Sequence, residues 1–155
     1  MIPIQRLGHV VLRVTDRARS TQFYTQFLGM HVMEEDARVG ATFLGLRDLG
    51  NTLDLITSRD PSSGGVCKEF TALTGVGMHH FAFPVDSHEV LKSAYFLLLD
   101  NGVPIHAATD HGSTESIYFA DPDGNIVEIY WERPAGWKER TEGAKDHDDP
   151  LTFKR

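Results

Sequence analysis

Apolar positions along the chain fall into two successive groups, each predicting a strand, an amphipathic helix and three further strands. Residues 4–15 alternate, with His9, Val11 and Arg13 on one side and Val10, Leu12 and Val14 on the other. Asp16 offers a helix N-cap and Gly29 a C-terminal stop, so a helix is predicted over 17–28. Phe23 with Phe27, and Tyr24 with Leu28, are its i,i+4 pairs for lying on a sheet. Strands are predicted at 30–36, 41–47 and 52–57, the last entered through a Gly50-Asn51 turn. Residues 58–76 change character: Arg-Asp-Pro-Ser-Ser-Gly-Gly reads as a linker, with a helical turn possible at 68–73. The pattern then restarts with a strand at 78–86 and a helix over 87–101. Asp86 and Glu89 stand at capping-box spacing, Gly102 is the stop, and Val90, Leu91, Ala94, Tyr95 and Leu98 form the apolar face. Strands at 104–109, 113–120 and 125–131 follow, and residues 133–155 form a polar tail, loose or folded against a partner subunit.

The two groups are an internal repeat. Gly8-His9-Val10-Val11-Leu12 answers to His79-His80-Phe81-Ala82-Phe83 at an offset of 71, and Gly50-Asn51-Thr52-Leu53-Asp54-Leu55 to Gly124-Asn125-Ile126-Val127-Glu128-Ile129 at an offset of 74. The helix-ending glycines differ by 73. The expected architecture is therefore α+β: two βαβββ modules, 4–57 and 77–132, related by pseudo-twofold symmetry and forming one sheet-lined cleft.

The repeat brings chemistry into register. Each module has a histidine in its first strand, His9 and His80, and a carboxylate in its last, Asp54 and Glu128. Glu128 sits mid-strand in 116–134, where Asp121-Pro122-Asp123-Gly124 joins two β-rich runs by a tight turn. An acid in an apolar strand costs free energy unless its charge is satisfied, so Glu128 asks for a partner. Two imidazoles with one or two carboxylates make a divalent-metal site with coordination positions to spare.

Composition trims the alternatives. A net charge of −7 argues against nucleic acid as a main partner. No apolar run approaches the ~20 residues a membrane span needs, and the first ten residues lack a signal-peptide pattern. A lone cysteine, Cys67, rules out an internal disulfide and a thiolate-rich zinc site. The expectation is a cytoplasmic protein with a small-molecule substrate.

With these residues in view, the sequence resembles the vicinal oxygen chelate superfamily over residues 7–134. That superfamily of paired βαβββ modules includes glyoxalase I, extradiol dioxygenases, methylmalonyl-CoA epimerase and bleomycin and fosfomycin resistance proteins. Segment 110–130, Asp-His-Gly-Ser-Thr-Glu-Ser-Ile-Tyr-Phe-Ala-Asp-Pro-Asp-Gly-Asn-Ile-Val-Glu-Ile-Tyr, is most similar to the C-terminal half of catechol 2,3-dioxygenase-type proteins. The resemblance implies that His9, His80 and Glu128 hold iron(II) or manganese(II), that His111 and Tyr118 assist catalysis, and that the protein is a homodimer. It implies an extradiol dioxygenase-like enzyme acting on a small catecholic substrate. Two departures stand against this. The further catalytic histidine of those enzymes falls near Thr52, and 51–57 contains none; many of them also have four modules.

A rival within the resemblance gives Asp54 the place of a glyoxalase I ligand and base, with nickel(II), cobalt(II) or zinc(II) and proton transfer as the chemistry; epimerases share this plan. A third reading is a resistance-type protein that sequesters a small molecule, against which the retained ligands count. Among the remaining residues, His79 is read as pointing away from His80 in a structural role, and Tyr130 as a cleft wall. His31, His88, His106 and His147 are read as surface residues, and Trp131 and Trp137 as packing or dimer contacts.

Overall fold

The computed structural model describes residues 1–60, 77–134 and 147–155. Cys67, Trp137 and the helical turn expected at 68–73 lie outside the described residues. The chain divides into two compact units, Met1–Gly65 and Val66–Arg155.

In the first unit, β1 (Val10–Val14) leads through α1 (Arg17–Leu28) to β2 (His31–Asp36), β3 (Ala41–Gly45) and β4 (Asn51–Thr57), in the sheet order β1-β4-β3-β2. β1 and β4 run parallel and the other neighbours antiparallel. Asp16 caps α1 by accepting from Arg19 N at 3.1 Å, and Gly29 ends it at φ +65°, a conformation glycine adopts without steric cost. Leu12, Val14, Tyr24, Leu44, Leu53 and Leu55 are the buried core.

The second unit repeats the plan: β5 (Phe81–Val85), α2 (His88–Asp100), β6 (Ile105–Asp110), β7 (Thr114–Ala120) and β8 (Ile126–Glu132), ordered β5-β8-β7-β6. Ile117 faces Ile129 and Phe119 faces Val127 across β7 and β8, all buried on one side of the sheet. Tyr118 and Glu128 are opposite each other on the other side. The β7–β8 connection is built on Asp121, whose Oδ1 accepts from Asp123 N and Asn125 N while Gly124 sits at φ +87°. Two βαβββ modules in an α+β chain are thus present.

Several expectations change. The strand predicted at 4–15 shortens to β1, and Ile2, Ile4 and Leu7 before it are exposed; alternation alone does not bury a segment that lacks strand partners. His9 and His80 accordingly stand just before β1 and β5 rather than within them. Ser87, not Asp86, caps α2, accepting from Val90 N at 3.2 Å, and Val90 is exposed. The tail is not loose at its end. β9 (Asp149–Pro150) pairs with β6 as a fifth strand, and Leu151 N donates to Ala108 O at 2.9 Å.

Candidate functional site

The Glu128 carboxylate is nearly buried and finds the partners that its place in an apolar strand demands. Tyr118, directly opposite on β7, donates its hydroxyl to Glu128 Oε1 at 2.9 Å. His80 Nε2 lies 3.1 Å from Glu128 Oε2. His80 can reach it because β5 and β8 are parallel neighbours, with Phe81 beside Val127 and Ala82 beside Glu128. His111 Nε2 is 3.0 Å from the Tyr118 oxygen. Burial, and then the neighbouring Glu128 charge, raise the Tyr118 pKa well above the usual phenol value, so it keeps its proton across the neutral range.

A pocket of about 450 Å³ opens on this group, its wall including His79, His80, His111, Tyr118 and Asp148. Its volume lies in the range of small-molecule sites, ~300–1,000 Å³. His79, expected to point away, instead has Nδ1 2.7 Å from His80 Nδ1, because both residues precede the strand and escape its alternation.

His111 is carried by the turn between β6 and β7. Its own N–H donates to Thr114 O at 2.8 Å, and Gly112, at φ +81°, donates to Asp110 Oδ1 at 2.8 Å. Arg133 braces that turn. It donates to both Asp110 oxygens at 2.7 and 2.8 Å, to Gly112 O, and to Glu115 Oε1 at 2.6 Å. The Arg133 guanidinium holds the Asp110 pKa down to about 2. Glu115 Oε2 in turn meets His88 Nδ1 at 2.5 Å. His88 is therefore no bare surface residue: its ring also packs on Trp131 and Phe153. Sequence reasoning assigned no role to Arg133, Glu115 or Asp148. Arg133, the first basic residue after Glu128 in the sequence, was the signal available there.

The first unit holds a plainer version of the same arrangement. His9 Nε2 lies 3.6 Å from Asp54 Oδ2, and Val11 pairs with Asp54 as Ala82 does with Glu128. The residue opposite Asp54 is Phe43, where the second unit has Tyr118 opposite Glu128. Without a hydroxyl there, Asp54 Oδ1 is buried with no hydrogen-bond partner among the described residues. His80 and Glu128 are donors of the kinds a divalent ion takes. An imidazole nitrogen and a carboxylate oxygen 3.1 Å apart have the separation of neighbouring ligands around one ion with bonds of about 2.1 Å. Among the described residues, neither unit by itself gathers three His, Cys, Asp or Glu side chains into a metal-holding group.

Repeated βαβββ units, each pairing a histidine with a strand carboxylate, define a vicinal oxygen chelate protein. The chain belongs to the Glyoxalase/Bleomycin resistance protein/Dioxygenase superfamily, whose family model matches residues 6–129. It is 32% identical over 137 residues to biphenyl-2,3-diol 1,2-dioxygenase 3 of Rhodococcus globerulus, covering 88% of this chain and 68% of that one. Catechol-2,3-dioxygenase of Bacillus subtilis and biphenyl-2,3-diol 1,2-dioxygenase 2 of Rhodococcus globerulus are similar too, and the chain spans 45% and 64% of their lengths. A probable lactoylglutathione lyase of Vibrio cholerae is 27% identical over 141 residues, covering 84% of this chain and 93% of that one. In fold, the chain is similar to a glyoxalase/dioxygenase from Nostoc punctiforme, with a TM-score of 0.70, 24% identity, and coverage of 86% of this chain and 97% of that one. No helix among the described residues is long and apolar enough to cross a membrane.

Proposed function

We propose that the protein is a divalent-metal-dependent enzyme of the extradiol ring-cleaving kind, acting on a small catecholic substrate. The observation that carries this reading is the hydrogen-bonded run from His111 through Tyr118 to Glu128, ending at His80 beside a pocket of small-molecule size. His80 and Glu128 would hold iron(II) or manganese(II), with His9, its counterpart in the sequence repeat, as third ligand. Such an ion, when bound, supplies open coordination positions for two vicinal substrate oxygens and for dioxygen. Tyr118 fixes the Glu128 carboxylate and remains a neutral donor. His111 stands on the pocket wall, where it can give or take a proton at a substrate oxygen. The reading includes a homodimer and a cytoplasmic location, on resemblance alone.

A second reading is favoured by the unpartnered, buried Asp54 Oδ1 and by the similarity to a two-module lactoylglutathione lyase. There Asp54 would move a proton on a carbonyl substrate, with nickel(II), cobalt(II) or zinc(II) bound.

Protein purified without oxygen, loaded with iron(II) and offered a panel of catechols decides between the two, with the methylglyoxal–glutathione adduct tested in parallel. Ring cleavage predicts that Tyr118→Phe lowers oxygen uptake by roughly 100-fold, whereas Asp54→Asn leaves metal content unchanged. Proton transfer predicts the reverse order of damage. Absence of oxygen uptake with every catechol, together with metal loss in Asp54→Asn, would overturn the first reading.

A further inference from the structure

The family match ends at residue 129, yet the segment 147–155 contributes directly to the pocket. Four ties hold it there. β9 extends the sheet at Thr109↔Pro150 and Asp110↔Asp149, and Leu151 N bonds Ala108 O. The Phe153 ring packs 5.7 Å from His88 and 5.0 Å from Tyr95. Arg155 pairs with Asp100 and lies 4.9 Å over the Phe96 ring. The result is that Asp148 Oδ1 sits 2.6 Å from His111 Nδ1, on the side of the imidazole opposite Tyr118.

We propose that Asp148 is a positioning residue for His111, so that this C-terminal segment completes the pocket as a working wall. An exposed ion pair usually contributes little, because two free side chains must be ordered to make it. Here the ordering is already done by the sheet, ring and arginine ties, and by the braced turn that carries His111. Asp148 accepts from Nδ1–H and fixes the ring plane. Nε2–H is then directed at the pocket and at the Tyr118 oxygen, whose own hydrogen goes to Glu128. The chemical consequence rests on the proposed ring-cleaving reading; the positioning itself does not.

The test uses the full chain and two kinds of readout. In metal-free protein, imidazole nitrogen and proton NMR signals of His111 are assigned with His111→Gln and compared across Asp148→Asn, Asp148→Glu and Asp149→Asn. Asp148 is mostly exposed, so the fold is not at risk, and thermal midpoints check this. Positioning predicts a protected Nδ1 proton in the wild-type chain that is lost in Asp148→Asn, at least partly restored in Asp148→Glu, and kept in Asp149→Asn. In the iron(II)-loaded enzyme, Asp148→Asn should lower kcat about tenfold while KM stays within about twofold. Unchanged His111 signals in Asp148→Asn overturn the proposal. So does a changed signal with kcat and KM both unaffected. A wild-type chain without ring-cleavage activity would defeat the reaction-class reading, and the NMR comparison would still decide the positioning.

Discussion

Asp54 and Glu128 occupy equivalent strand positions, and a single neighbour separates their fates. Glu128 has the Tyr118 hydroxyl; Asp54 has Phe43 and a buried oxygen left unbonded. A buried acceptor without a partner costs about 1–3 kcal/mol. Replacing Asp54 by the similarly shaped leucine should raise the unfolding free energy by roughly 1 kcal/mol, read from urea midpoints of the metal-free protein. Destabilisation of that size would instead make Asp54 a structural residue. The two acids were legible in the sequence because a charge within an apolar strand is conspicuous. His88 with Glu115, and His111 with Asp148, were not legible, since the partners are 27 and 37 residues apart and meet only through tertiary packing.

At the level of elements, the turn between β6 and β7 depends on Arg133 at the end of β8. The Asp110 carboxyl titrates at about 2 in the folded chain against an ordinary 3.8. A lowered folded value means the contact stabilises fully above the unfolded pKa and is lost as pH falls through the folded one, here between about 4 and 2. The stabilisation at neutral pH is on the order of 1–2 kcal/mol, reduced for partial exposure. Asp110→Asn should therefore lose stability at pH 6 and show a flatter decline between pH 4 and 2 than the parent, measured by urea unfolding at each pH. Equal slopes would place the acid sensitivity elsewhere. Helix ends show what local sequence specifies well. α1 begins and ends where Asp16 and Gly29 predict. At α2, two acceptors compete next to each other, and the choice of Ser87 over Asp86 is set by which backbone turns into the helix. Strand ends read less well, because a strand stops where its neighbour stops, as residues 4–9 show.

For the whole chain, the repeat was the most legible feature. The register keeps both offsets: Val11 beside Asp54 becomes Ala82 beside Glu128. Periodicity carried that far because each module's core depends on the same alternation. The ninth strand was hidden, since two residues in a polar tail have no periodicity to read. The proposed ligand set can be tested on the whole chain through linkage, because an ion that binds only the folded state stabilises it by about 2.7 kcal/mol at a hundredfold excess over its Kd. Titrating manganese(II) under argon, which supplies an ion without dioxygen chemistry, should raise the thermal midpoint of the parent chain. His80→Ala and Glu128→Gln should each remove most of that rise, since each deletes a donor from the 3.1 Å pair. His9→Ala is the informative variant, because His9 enters the ligand set through the sequence repeat. If it too abolishes the rise and the bound metal measured after dialysis, all three residues serve one ion. If it keeps both, the metal donors belong to residues 66–155 alone and the repeat has left His9 and Asp54 as a separate pair. An unchanged midpoint in His80→Ala would refute the metal assignment itself, whatever the substrate proves to be.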